Sequence, residues 1–311
     1  MTKEPEGEKK KDGTEWRIDA GVNLSVGDNR AVVGQTDGTA VTFGYKAEGQ
    51  LEHRSGGHES RSRALSTVGL TQTPGLEDFV KSRDQVLVES IYLYHIVDWF
   101  GPFVRASVDT AILQGFDVRE PGASYVSRET GEVLAPTGRR FPLTTAWRPT
   151  RFKQSLGAFF RALRWQPLNI ETRLGGGARE VLARGQLAIN DDDATEGLIE
   201  VSQLSNVYQV GGEGVLELWG NVEEKKVNYR ASLEALVPFA NSALPPEDDR
   251  DALDLTVLEF KAALSIKVVE WATVDYEVGV LREPLIIDDY QIRNSLLVNF
   301  GTSAGNLEPD E

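Results

Sequence analysis

The sequence predicts an all-β protein, an antiparallel transmembrane β-barrel of about 12 strands with short periplasmic turns and long extracellular loops. Three observations predict it. Apolar and polar residues alternate over segments of about ten residues, longer than the usual strand of about five or six. The connections between segments alternate between short and long, and the tryptophans gather at one end of the segments.

The alternation is clearest in 290–301, where Tyr290, Ile292, Leu296, Val298 and Phe300 are apolar while Gln291, Arg293, Ser295 and Asn299 are polar. A strand points successive side chains to opposite faces, so this segment has one apolar and one wet face. The same split sets Leu258, Phe260, Leu264 and Ile266 against Glu259, Lys261, Ser265 and Lys267, and it sets Val104 and Val108 against Arg105 and Asp109. It recurs with Phe43, Tyr45 and Leu51 against Lys46, Glu48 and Gln50. Segments of this kind fall at about 16–27, 40–53, 61–73, 84–98, 101–118, 151–165, 168–184, 201–221, 226–239, 255–270, 272–283 and 290–301.

Short turns fall at 54–60, 99–100, 166–167, 221–225 and near Trp271, and long polar connections at 28–39, 74–83, 119–150, 185–200 and 240–254. An even number of strands with that asymmetry is the layout of a bacterial outer-membrane barrel with both termini in the periplasm. Five tryptophans, Trp16, Trp99, Trp165, Trp219 and Trp271, fall at strand ends on the short-turn side and are expected to form a periplasmic aromatic girdle. Residues 1–14 and 302–311 lack apolar periodicity and read as disordered tails around a barrel spanning 15–301.

Composition removes several classes. The chain has 311 residues, no cysteine, and 33 Lys+Arg against 48 Asp+Glu for a net charge of −15. Disulfide frameworks and thiolate metal sites are excluded, and the acidic balance opposes a nucleic-acid partner. No run of about 18 apolar residues could form a spanning helix, a test that is blind to strands. The acidic runs at 191–193 and 247–249, with 22 Arg to 11 Lys, also match proteins of salt-accumulating halophiles, an ordinary acidic exterior being equally open. No signal peptide precedes the first segment, so the chain is either cytoplasmic or a mature segment to which Met1 was added. The barrel pattern favours the second, a bacterial outer-membrane address with the signal peptide removed.

Charges recur in mid-strand, so the charged face is expected to line the lumen and the apolar face to meet lipid. The lumen candidates are Glu48, Glu89, His95, Arg105, Asp109, Arg161, Arg173, Glu213, Glu217, Arg230, Glu259, Lys261, Lys267, Glu277 and Arg293, and the same face carries Lys153, Glu171, Arg179 and Glu234. Acids and bases nearly balance, which suits carboxylates paired with guanidinium and ammonium groups in a confined space.

The search for catalytic or metal chemistry assigns none. His53 and His58 flank the Gly56-Gly57 turn without a third ligand, so no metal is assigned. His95 lies near Asp98, where a Ser-His pair would begin an esterase constellation, but a polar His on a lumen strand needs no special role. Gly175, Gly176 and Gly177 lie inside a strand rather than before a helix, which suits a bend or close approach better than a phosphate cradle. Asp191, Asp192 and Asp193 lack the ligand spacing of a calcium loop. Segment 119–150, with Pro121, Pro136, Pro142 and Pro149, is the best candidate for a functional loop. The chain is read as a non-enzyme with no cofactor.

Two resemblances add to this. Tyr290, Ile292, Leu296, Val298 and Phe300 resemble the C-terminal signal of outer-membrane proteins read by the barrel-assembly machinery, with the departure that residues 301–311 follow the terminal aromatic. The stretches 81–87, 91–94, 111–116 and 152–157 together resemble a family of uncharacterised outer-membrane-type barrels found chiefly in Bacteroidota, a domain of unknown function. That resemblance implies a barrel and an outer-membrane address, and no activity. The expected partners are the lipid bilayer and, during insertion, the barrel-assembly machinery. The expected function is a small-solute, porin-like channel or a structural envelope protein with a narrow, charge-paired lumen. The alternative is an outer-membrane enzyme acting on lipid or envelope polymers, and a soluble barrel with an inward apolar face is a third reading.

Overall fold

The computed structural model describes residues 12–29, 38–72, 79–119, 124–135, 140–165, 167–190, 198–223, 226–242 and 249–307. Twelve strands form the wall of a closed barrel: β1 (Gly13–Asn29), β2 (Gly38–Ser55), β3 (His58–Gln72), β4 (Val80–Tyr94), β5 (Phe100–Thr110), β10 (Thr150–Trp165), β11 (Leu168–Leu182), β14 (Val207–Val222), β15 (Val227–Asn241), β16 (Val257–Val269), β17 (Ala272–Glu283) and β18 (Ile287–Gly305). Each pairs antiparallel with its neighbour in that order, and β18 pairs with β1 to close the circle. Six short strands lie outside the wall: β6 (Gly115–Val118), β7 (Ser124–Ser127), β8 (Val133–Ala135), β9 (Arg140–Thr144), β12 (Leu187–Ile189) and β13 (Leu198–Gln203).

The apolar face points outward. Ile18 is 54% exposed, Leu156 65% and Leu296 68%, whereas Glu171 on the opposite face is 1% exposed. A barrel in water would reverse this, because exposed apolar area on that scale costs free energy. In lipid the same surface is compatible with the solvent, and closure satisfies the backbone. The soluble reading with an inward apolar face is therefore corrected.

The wall is longer than the alternation indicates. Arg17 pairs with Gly305 and Asp19 with Ser303, so Gly13, Thr14 and residues 302–305, expected in the tails, are part of the barrel. They have no apolar periodicity of their own: Gly13 and Thr14 are placed by Arg54 and His53 of β2, and residues 302–305 by the edge of β1. Asn306 Oδ1 accepts from the Trp16 backbone N–H at 2.8 Å, and Leu307 is buried.

Two expected strands divide. Segment 101–118 breaks after Thr110 because the Asp84 carboxylate accepts from the backbone N–H groups of Ile112 (3.0 Å) and Leu113 (2.9 Å) and turns the chain. Segment 201–221 breaks at 204–206, where Asn206 Oδ1 accepts from Ala183 N–H at 3.0 Å and Arg184 N–H at 2.9 Å. What lies beyond these breaks is a cap at the long-loop end. β6 pairs with β9, and β12, β13, β7 and β8 form a second sheet in which β13 and β7 are parallel. Tyr125 stacks on Phe141 with centroids 3.9 Å apart, against Ile199 and Val201. Segment 119–150 is thus largely folded structure, although Pro121 and Pro136 lie outside the described residues.

Tyr125 reports on this cap. Its burial, its hydrogen bond to Asp117 Oδ2 (3.0 Å) and the charge of that carboxylate push the phenol up to about 12. An unfolded tyrosine ionises near 10, so the folded cap holds the proton more tightly. The stability this contributes is complete below about pH 10 and is lost as the pH rises towards about 12. Ultraviolet titration of the wild type minus Tyr125→Phe is expected to show one phenol ionising well after the others, and an ordinary titration for that phenol refutes the packed cap.

Candidate functional site

The inward face builds a lattice of ion pairs that crosses the lumen. At the short-turn end, Arg161 donates to both oxygens of Glu59 (3.1 and 2.9 Å) and to Glu171 (2.9 Å). Arg61 and Arg173 each reach the other oxygen of Glu171 at 3.0 Å, and Arg173 also pairs with Glu217 at 2.9 Å. Three wall strands separate β3 from β11, so the Arg61–Glu171 pair spans the interior. Beside it Ile91, Leu93, Phe103 and Phe159 pack together inside the wall. His95 lies just past β4, with Nε2 2.8 Å from Glu59 and its ring edge-on to Phe159.

Higher in the lumen Arg105 pairs with Glu89 at 2.6 Å and with Glu234 at 2.9 Å, from β5 to β15. Lys153 pairs with Glu234 at 2.7 Å and with Glu259, which Lys261 also meets at 2.7 Å. A cavity of about 30 Å³ lies between Arg105, Glu217, Glu234 and Glu259, room for about two waters. On the facing wall Glu48 takes Arg63 at 2.7 Å and Lys46 at 3.6 Å, and Glu277 takes Arg83. Gln85 donates to Asp109 at 2.7 Å.

At the long-loop mouth Glu283 is fully buried and pairs with Arg179 at 2.9 Å and Arg151 at 3.3 Å. The turn after it tucks Leu285 and Ile286 against Val181, Ala183 and Val207. Taking so many charges out of water is tolerated because Glu48, Glu59, Glu171, Glu217, Glu234 and Glu283 each meet at least two cations.

Most of the expected lumen residues are in this lattice. Glu48, Glu89, Arg105, Asp109, Arg161, Arg173, Glu217, Glu259, Lys261 and Glu277 all engage as above. Arg230 is partly exposed 3.6 Å from Glu217, and Glu213 is buried with one carboxylate oxygen unsatisfied among the described residues. Lys267 and Arg293 share the inward phase but are exposed. Sequence reasoning missed Glu59, Arg61, Arg63, Arg83, Arg151 and Glu283. For the first three a signal existed, since they alternate: placing the turn at 54–60 hides Glu59, while Arg61 and Arg63 open the expected segment 61–73. For Glu283, the last residue of its strand, there was none.

The girdle needs one correction. Trp16, Trp99, Trp165 and Trp271 are exposed at the short-turn end. Trp219 is in phase with Glu217 and opposite Asn169 and Arg230, so it is half-buried on the lumen side. Its position near a strand end carried no information about which face it takes. Tyr290, Ile292, Leu296, Val298 and Phe300 all face outward on β18 and are exposed.

The glycines serve strand approach. Gly157 and Gly175 face each other across β10 and β11, and a Cβ on Gly175 would lie 2.0 Å from the Leu156 carbonyl oxygen. His53 Nδ1 lies 2.8 Å from Thr14 Oγ1 and His58 Nδ1 2.5 Å from the Tyr92 hydroxyl. Among the described residues no group of three or more His, Asp or Glu is placed to hold a metal ion. Residues 191–193 and 243–248 lie outside the described residues, so the acidic runs there are not placed, apart from Asp249.

No family model matches the chain, and no curated protein matches it. Among solved structures, an outer membrane channel from Pseudomonas putida F1 is 11% identical with a TM-score of 0.41, covering 98% of this chain and 100% of its own. The beta domain of the Bordetella autotransporter BrkA is 9% identical (TM-score 0.35, 94% of this chain, 99% of its own). The TodX monoaromatic hydrocarbon channel is 10% identical (TM-score 0.35, 95% of this chain, 90% of its own). Likeness this distant carries no weight here, and the fold stands on the chain's own strand order.

Proposed function

We propose that the chain is an outer-membrane barrel whose charge-paired lumen passes small polar solutes or ions when the cross-lumen pairs loosen. The observation that carries this reading is an outward apolar face enclosing an interior of buried ion pairs joining non-adjacent strands. Such an interior can be rehydrated at modest cost, whereas a packed apolar core could not. In this reading the short turns lie in the periplasm, the cap lies outside the cell, and the outward residues of β18 guide recognition by the assembly machinery. The affinity to the Bacteroidota family belongs to the same proposal. For the enzyme alternative, His95 meets a carboxylate, Glu59, but one already held by Arg161, and among the described residues no serine hydroxyl bonds to it.

Planar-bilayer conductance of the refolded protein, with folding checked by heat-modifiable gel migration, tests this. The wild type is expected to give small, discrete, salt-dependent steps. Removing both partners of one crossing pair, Glu59→Gln with Arg161→Gln, is expected to raise the unit conductance several-fold without leaving an unpaired charge. Silence from both folded forms discards the channel reading.

A further inference from the structure

The barrel wall is not zipped evenly. β1 and β18 pair from Arg17 with Gly305 to Asn23 with Asn299 and no further. Above that, residues 24–29 of β1 pair with β2, and residues 290–298 of β18 pair with β17, so each strand keeps one edge without a partner among the described residues. This seam lies in the long-loop half of the wall, since Gly13 and Gly305 are at the short-turn end. Its outer lips are apolar and exposed: Leu24 on one side, Ile292, Leu296 and Val298 on the other. Unpaired backbone facing hydrocarbon is costly, which makes the seam the place where the wall accepts something else.

The lumen side of the same seam carries a guanidinium and an amide without partners among the described residues. Arg293 is exposed and makes no ion pair among the described residues. The groups that weigh most on it are the cations Arg151 and Arg83 and the carboxylates Asp109 and Glu259; Glu259 is taken by Lys153, and Asp109 accepts from Gln85. Two residues along, Gln291 Nε2 is buried with no acceptor among the described residues. Opposite Arg293 on β17 stands Gly279, where an added Cβ would find only the Phe260 carbonyl oxygen, 4.0 Å away. That leaves space beside the guanidinium. Meanwhile the axial route is crossed at the short-turn end by the Glu59–Arg161–Glu171 lattice and at the mouth by Glu283 and the Leu285–Ile286 turn.

We propose that the seam is a lateral portal for a single-chain acyl carboxylate, its head group held by Arg293 and Gln291 and its chain passing between β1 and β18 into lipid. The inference rests on the membrane reading above. A gap between two strand edges passes one chain, and a carboxylate supplies both the charge that Arg293 lacks and the acceptor that Gln291 lacks.

The test is photocrosslinking of the refolded full chain in phosphatidylcholine vesicles with diazirine-bearing hexadecanoate, with adducts mapped by peptide mass. Adducts are expected to concentrate on 24–29 and 290–298 and to fall under competition by unlabelled hexadecanoate. Arg293→Gln is expected to cut them about tenfold, the worth of one charge-assisted hydrogen bond, and Arg293→Lys to restore much of the signal. The chain has no cysteine, so Leu24→Cys with Val298→Cys gives a single disulfide. Continuing the register places these two opposite each other, and closing the disulfide is expected to abolish the adducts until it is reduced. Adducts spread over the outward residues of every strand, indifferent to Arg293, overturn the portal and leave the membrane reading standing. Failure of the protein to enter vesicles, with no strand labelled, overturns the membrane reading itself. A disulfide that joins two chains rather than one shows that a second copy covers the edge, which also overturns the portal.

Discussion

Replacing Glu171 by glutamine is expected to lower barrel stability by about 3–5 kcal/mol, the usual cost of stranding a buried charge. The Glu171 carboxylate is 1% exposed and touches the guanidinium groups of Arg61, Arg161 and Arg173. Glutamine keeps the shape and one acceptor but removes the charge that lets three cations share one place. Arg161 and Arg61 then compete for Glu59, and Arg173 is left to Glu217. Denaturant unfolding in vesicles, followed by tryptophan fluorescence, reads the loss. Lys261→Gln is the contrast: Lys261 is half-exposed, so its removal is expected to cost less than about 1 kcal/mol. Equal, small losses at both positions would mean that water already solvates the lattice, and the picture of a closed short-turn end would have to be abandoned.

Gly175→Val is expected to abolish the folded barrel, while Gly176→Val next to it leaves folding intact. A Cβ on Gly175 would lie 2.0 Å from the Leu156 carbonyl oxygen and 2.7 Å from the Gly157 Cα. Both contacts are with backbone, so no side chain can yield, and the pairing of β10 with β11 must break. Gly176 points outward, where a Cβ would find only the Gly211 carbonyl oxygen at 3.9 Å. There a β-branched residue adds lipid-facing apolar surface with good strand propensity. Heat-modifiable migration distinguishes the two directly, and a folded Gly175→Val barrel would refute the close approach.

Which residues face inward was largely legible, because a period of two fixes the face once any one residue of a strand is placed. Arg105, Asp109, Glu259 and Glu277 needed nothing more. Which inward residues meet was not legible. Arg61 reaches Glu171, and Arg105 reaches Glu234, only because the strands tilt and stagger around a closed circle, and that stagger leaves no mark in any one strand. The cap escaped for a different reason. Its strands are three to six residues long, and its parallel pair joins Ser124–Ser127 to Leu198–Gln203 from separate loops, so no local alternation announces it. Trp219 shows the limit from the other side: residue type suggested an interface, and strand phase put the ring in the lumen.

The crossing pairs also constrain the order in which the barrel can be made. Arg61 and Glu171 are 110 residues apart in the chain, and Arg83 and Glu277 are 194 apart. While hairpins are still being added, the growing sheet therefore presents a charged face on which these long-range pairs are not yet made. Pairs between neighbouring strands, such as Arg105 with Glu89, can form as each strand is added, but Arg61–Glu171 and Arg83–Glu277 can form only when distant strands arrive in the right alignment, since a slip of one residue turns a side chain to the other face. The last of the neutralisation therefore coincides with closure of the circle, so the cross-lumen pairs reward only the sheet whose first and last strands meet in register.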